Sequence, residues 1–109
     1  MTKYHNLPTE EDIQITIVAW LRLRGWLVFE FAKGGTHRRL GGSLPVGFPD
    51  LVAIQNGSHV YFEVKAPKGR LSPAQEALHA EMREAGCDIF VVRSLEEVWD
   101  ILGNPWGDE

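Results

Sequence analysis

The sequence has one cysteine, Cys87, in 109 residues. An intrachain disulfide is therefore excluded, which suits a reducing compartment. Cys87 stands between Gly86 and Asp88, just ahead of an apolar run, and reads as an ordinary half-buried cysteine rather than a reactive thiol. No apolar run approaches the ~20 residues of a membrane span, and the opening "MTKYHNLPTEED" does not read as a signal peptide. The expectation is a soluble, cytoplasmic protein with no membrane partner. Internal repeats and low-complexity segments are also missing. There is no Ser/His/Asp order of a hydrolase triad and no Gly-rich phosphate loop opening a helix. His5, His59 and His79 have no ligand partners at metal spacing, so zinc is not expected.

What is present is enough to build a core. At 44% hydrophobic, the chain fits a single domain over residues 1–109, with frayed ends expected at 1–8 and 103–109. The net charge of −4 argues mildly against a nucleic-acid partner, but the charge is unevenly spread. Residues 33–70 carry six basic and two acidic side chains, net +4; the remainder carries five basic and thirteen acidic, net −8. A positive middle on an acidic body is the pattern of a local phosphate-facing site, and equally of a solvated basic loop.

Periodicity predicts the order α-β-β-β-α-β-α. Residues 9–24 read as a helix capped by Thr9, with acids in its first turn and Ile13, Ile17, Trp20, Leu21 and Arg24 at helical spacing. Residues 26–32 alternate as a strand, with Trp26, Val28, Glu30 and Ala32 on one face and Leu27, Phe29 and Phe31 on the other. A Gly/Arg-rich loop fills 33–47. Residues 50–55 and 59–65 form a hairpin about the type I′ turn signal Asn56-Gly57. Ser72-Pro73 opens a second helix reaching about Ala85, with Ala74, Ala77, Leu78, Met82 and Ala85 as its expected buried face. A strand at 88–93 and a helix capped by Ser94 complete the chain. The helix between the third and fourth strands allows a parallel crossover, hence a mixed four-stranded sheet flanked by helices.

In the third strand, Val60, Phe62 and Val64 share one face, and Tyr61, Glu63 and Lys65 the other. Centring the turn between Asn56 and Gly57 sets Asp50 opposite Glu63. Such cross-strand neighbours have Cβ atoms roughly 4.5–5.5 Å apart. Two carboxylates that close repel unless a cation lies between them, and a hard ion such as Mg²⁺ or Mn²⁺ suits carboxylate and water ligands. Lys65 then stands where it can position a nucleophile or neutralise developing charge. A lone Glu-x-Lys would read as a solvated pair; the preceding Pro49-Asp50 at the right distance favours a site.

The ordered set "GFPDLVAI…VYFEVKAP…LSPAQ", after an opening helix with "EEDIQ", resembles the VRR-Nuc (virus-type replication-repair nuclease) domains of the PD-(D/E)xK nuclease superfamily. The resemblance spans nearly the whole chain and implies a restriction-endonuclease-like α/β core. It implies that Asp50 and Glu63 bind the metal, that the Val64 backbone carbonyl completes the metal site, and that Lys65 is the catalytic lysine. Gln75 matches the family's glutamine at the start of the second helix. Glu10 or Glu11 matches its additional acid, and Gln14 its "IQ" position. Each of these has a structural reading too. Ser72-x-x-Gln75 is a capping box, and acids in a first helical turn answer the helix dipole.

The activity implied is a Mg²⁺- or Mn²⁺-dependent DNA endonuclease hydrolysing phosphodiester bonds. Branched DNA such as Holliday junctions or flaps is the expected substrate, in the cytoplasm of a phage's host or of a bacterium. Lys33, His37, Arg38, Arg39, Lys68 and Arg70 are the expected nucleic-acid contacts. A homodimer is expected, with Trp99 and Trp106 as apolar groups for its interface. The alternatives are a catalytically weak nucleic-acid-binding module on the same fold, or an enzyme acting on RNA.

Overall fold

The computed structural model describes residues 7–31 and 44–103. Along these residues the elements are α1 (Glu10–Leu23), β1 (Leu27–Glu30), β2 (Leu51–Gln55), β3 (Ser58–Val64), α2 (Pro73–Glu84), β4 (Asp88–Val92) and α3 (Leu95–Leu102). The order is the one that periodicity predicts, with element ends shifted by a residue or two.

One sheet of order β1-β2-β3-β4 organises the chain. β1 and β2 are antiparallel, β2 and β3 form the hairpin, and β3 and β4 are parallel. The turn is made by Asn56 at φ 50° and Gly57 at φ 83°, the two positive values that a type I′ turn demands. Leu51 pairs with Phe62 and Gln55 with Ser58. This register makes Asp50 and Glu63 the next positions along the two strands, as the turn predicts. The parallel step from β3 to β4 runs through α2, as parallel neighbours require.

One face of the sheet carries the apolar core. Val28, Leu51, Ala53, Val60, Phe62, Val64 and Val92 meet Ile13, Ile17, Val18 and Leu21 of α1 and Val98 of α3. Each such side chain contributes about 1.5–3 kcal/mol when fully buried. The α1 stripe arises from spacings of four, one and three residues, and Thr9 and Asp12 close a reciprocal capping box at its start. Arg24, placed on this stripe by its spacing, instead follows the helix as an exposed C-cap residue. A long cationic side chain gains more at the last turn in water than under a sheet.

α2 covers the opposite face and corrects a second expectation. Its buried residues are Gln75 and His79, with Leu78 and Met82 half-buried, while Ala74, Ala77 and Ala85 are exposed. The helix is turned one position from the alanine stripe, because a carboxylate lies beneath it and alanine offers that group no hydrogen bond. Trp99 is half-buried rather than exposed, with its ring 6.3 Å from that of Trp20. Trp106 lies outside the described residues. Cys87 is half-buried, as expected. Among the described residues, no helix is long and apolar enough to cross a membrane.

Candidate active site

The site is built where β2 begins and β3 ends. Asp50 is 1% exposed and Pro49 before it is also buried. The Asp50 backbone is tied to both neighbouring strands: its N–H donates to Phe62 O at 3.1 Å, and its carbonyl accepts from Phe31 N–H at 2.8 Å. Its carboxylate Oδ2 accepts from the Val64 N–H at 2.6 Å. The aspartate is thus fixed from backbone to carboxylate before any ligand is considered.

The loop leading to Asp50 is seated on α2. Gly47 has φ +96°, a conformation L side chains rarely adopt, and a Cβ there would lie 2.6 Å from Ala74 O and 3.1 Å from Gln75 Cα. Only glycine lets this backbone approach the first turn of α2 so closely. The glycine two residues ahead of Pro49-Asp50 therefore has a physical reason.

Glu63 is fully buried although its neighbours Phe62 and Val64 face the opposite side. Gln75 Nε2 donates to its Oε2 at 3.0 Å. The same amide caps α2: its Oε1 accepts from Ser72 N–H at 2.8 Å, and its own N–H donates to Ser72 Oγ at 3.1 Å. The two sequence readings of Gln75 coexist in one side chain. The amide orientation is dictated chemically, since a backbone N–H needs the oxygen and a carboxylate needs the nitrogen.

His79, one turn after Gln75, is fully buried, and its Nε2 lies 3.4 Å from Glu63 Oε1. The Gly47 backbone is a hydrogen-bond partner of the ring. Burial is the largest influence on this histidine and lowers its pKa below 6.5; Arg83 and Lys65 act in the same direction, while the Gly47 backbone and Asp50 oppose them. The ring is therefore neutral at neutral pH, and its contact with Glu63 is not an ion pair. Sequence spacing had set His79 aside because it has no metal-ligand partner in the chain. The signal that could have found it is its position four residues after Gln75, on the same helical face.

Lys65 follows β3 directly and is half-buried, its N–H donating to Val92 O at 3.0 Å. Its charge and that of Asp50 both act on His79, so Asp50, Glu63, Lys65, Gln75 and His79 belong to one neighbourhood. Val64, the last residue of β3, pairs with Val92 and holds the Asp50 carboxylate through its N–H.

Asp50 also borders a cleft of about 290 Å³ between α1 and the sheet, lined by Glu10, Glu11, Gln14, Ile15, Glu30 and Phe31. Glu10 is half-buried and Glu11 exposed. Gln14 Nε2 donates to Glu30 Oε1 at 3.0 Å, and Arg22 lies 4.0 Å from Glu30 Oε2. The α1 residues singled out in the sequence thus reach the Asp50 side of the site. Alternation places Glu30 on one face of β1 and carries no sign that α1 stands over it. Lys68 and Arg70 are exposed on the loop after β3, which Arg93 pins by donating to Gly69 O at 2.7 Å. Lys33, His37, Arg38 and Arg39 lie outside the described residues.

The donor set at the sheet ends is oxygen-rich: two buried carboxylates at facing cross-strand positions, with the Val64 backbone beside Asp50. This chemistry fits a hard divalent cation completed by carbonyl and water oxygens. It does not fit an all-side-chain cage, since among the described residues no three His, Cys, Asp or Glu side chains group to hold a metal ion.

The described residues thus form a mixed sheet with helices on both faces, with two buried carboxylates at the ends of one hairpin and a lysine next to them in sequence. The chain belongs to the VRR-NUC domain family, whose model matches residues 9–96. It is also similar to "Putative nuclease p44" of Acyrthosiphon pisum secondary endosymbiont phage 1. The two are 30% identical over 88 residues, which is 80% of this chain and 85% of that protein. The matched span, residues 9–96, contains the site just described.

Proposed function

We propose that the protein is a metal-dependent DNA endonuclease that hydrolyses phosphodiester bonds, with a preference for branched DNA such as Holliday junctions or flaps. The observation that carries this reading is the pair of carboxylates, Asp50 and Glu63, buried at 1% and 0% exposure at the ends of one hairpin. Taking two acids out of water is costly unless each is held and jointly compensated. A surface that served only to bind an anionic backbone would not bury them.

Asp50, Glu63 and the Val64 carbonyl would hold Mg²⁺ or Mn²⁺, with water completing the shell. A bound ion of this kind supplies Lewis acidity toward a phosphate oxygen and a more acidic water. The residues of the chain do the rest. Val64 N–H and Gln75 Nε2 fix the two carboxylates. The Lys65 ammonium meets the negative charge that develops on the phosphate, and its partial burial strengthens that interaction. Glu10 is the additional acid, with Glu11 and Gln14 beside it on the Asp50 cleft. Lys68 and Arg70 grip the phosphates flanking the scissile bond, as do Lys33, His37, Arg38 and Arg39.

Symmetric cleavage of a four-way junction needs two active sites, so the reading includes a homodimer. It places the protein in phage or bacterial replication and repair, in the cytoplasm of the host or of the bacterium.

The test is a cleavage panel of single-stranded, duplex, flap and four-way-junction DNA and an RNA, with Mg²⁺, Mn²⁺ or chelator. Wild type cuts branched DNA only with metal, Glu63→Ala does not cut, and Lys65→Ala is slower by about 10²–10³-fold. Cutting that persists in chelator, or equals wild type in Glu63→Ala, overturns the reading. DNA binding without cutting under all conditions favours the binding-module alternative. A strict monomer at micromolar concentration removes the dimer.

A further inference from the structure

We propose that His79 is a positioning residue for Glu63, donating from Nε2–H to the carboxylate oxygen that Gln75 does not hold. The inference rests on the reading of Glu63 as a metal-binding carboxylate and extends it to a residue which that reading does not use.

Three observations carry it. First, successive turns of α2 approach the two oxygens of one carboxylate: Gln75 Nε2 is 3.0 Å from Oε2, and His79 Nε2 is 3.4 Å from Oε1. A carboxylate met on both oxygens from a rigid helix has one orientation. Second, the imidazole is fully buried, and the polar groups beside it are the Gly47 backbone and Glu63, whose Oε1 lies 3.4 Å from Nε2. A leucine would fill such a position but would offer the buried carboxylate no donor. Third, α2 is locked to the loop that carries Asp50, because Gly47 lies against Ala74 and Gln75 with no room for a Cβ. A ring anchored on α2 therefore sets Glu63 relative to Asp50, and not only within its own strand.

The proposal also fixes a tautomer. With the Nε2–H directed at Glu63, Nδ1 is the unprotonated nitrogen. Partners that orient a ligating carboxylate are typically worth about 10–100-fold in metal affinity.

The experiment uses the full chain as wild type, His79→Leu and His79→Gln, each first shown to unfold cooperatively. Leucine supplies volume without a donor, and glutamine restores a donor of similar reach. Mn²⁺ titration by calorimetry is expected to show His79→Leu weaker by about 10–100-fold and His79→Gln close to wild type. In the metal-free protein, long-range ¹H–¹⁵N correlation of the imidazole is expected to report the Nε2–H tautomer. The Gln75 side-chain amide signals are expected to shift in His79→Leu and to return in His79→Gln. Wild-type Mn²⁺ affinity in His79→Leu, unmoved Gln75 amide signals, or an Nδ1–H tautomer would each overturn the proposal. If the wild type binds no Mn²⁺, the metal reading of the site fails by itself, and the tautomer and amide signals still decide the role of His79.

Discussion

Replacing Gln75 by glutamate separates the two tasks of that side chain. In the wild type its oxygen accepts from Ser72 N–H at 2.8 Å, and its nitrogen donates to Glu63 Oε2 at 3.0 Å. Gln75→Glu keeps an acceptor for the cap, since glutamate serves this position of a capping box as well as glutamine does. It also sets a second carboxylate against Glu63 where both residues are buried. Two negative charges about 3 Å apart repel by about 5 kcal/mol even at an effective dielectric of about 20. One of the pair takes up a proton instead. Protonating a carboxyl of ordinary pKa, about 4.3, costs about 4 kcal/mol at pH 7.5 and about 1 kcal/mol at pH 5, at 1.36 kcal/mol per unit. One charge-assisted hydrogen bond replaces another, so the protonation cost is nearly the whole difference. The shared proton raises the pair's folded pKa above the unfolded value. Its contribution is then fully present below about pH 4.3 and is lost as pH rises through the raised value. Urea unfolding of the metal-free protein, followed by tryptophan fluorescence, should show Gln75→Glu destabilised by about 3–4 kcal/mol at pH 7.5 and by about 1 kcal/mol at pH 5. A gap that is equal at the two pH values would refute the Gln75–Glu63 bond. So would a variant as stable as wild type at pH 7.5.

Two further outcomes follow from neighbouring residues. Gly47→Ala combines a positive φ with a Cβ 2.6 Å from a backbone oxygen. It should cost at least about 2 kcal/mol and lower the melting temperature by about 10 °C, as calorimetry would register; an unchanged melting temperature would count against the packing of this loop on α2. His79 has a folded pKa below 6.5, so its contribution to stability is complete above pH 6.5 and is lost as pH falls toward the folded value, at up to about 1.4 kcal/mol per pH unit. Wild type should therefore lose more stability than His79→Leu between pH 7.5 and 5.5 in urea titrations, and parallel losses would show that the ring is not buried.

The architecture is legible because each element carries its own signal. Thr9 and Ser72 begin helices with reciprocal caps, and both boxes form. Asn56-Gly57 specifies a turn whose register then follows without freedom, because a one-residue slip would move Phe62 and Val64 out of the core. The meeting of Asp50 and Glu63 is a consequence of that turn and needs no tertiary information. The helix between β3 and β4 makes their parallel pairing possible, and the parallel ladder from Val60–Asp88 to Val64–Val92 is what forms.

What covers the second face of the sheet is not legible in the same way. Alternation places Glu63 opposite the core, which usually means solvent, and the alanines of α2 look like the apolar stripe of a helix. Both signals are local, and the alanine stripe is the one that the structure reverses. Glu63 is buried because α2 lies over it, and α2 turns Gln75 and His79 inward because Glu63 lies beneath. The two facts are one interaction seen from two elements, so neither segment could disclose it alone. Glu30 is the same case on the other face, where its place beside Gln14 depends on how α1 crosses the sheet. The layer between the sheet and α2 therefore sets a buried acid, amide and imidazole among apolar side chains such as Val52 and Ile89. Burying an acid, an amide and an imidazole there costs free energy that an apolar layer would not, which is the physical ground for the site proposed above.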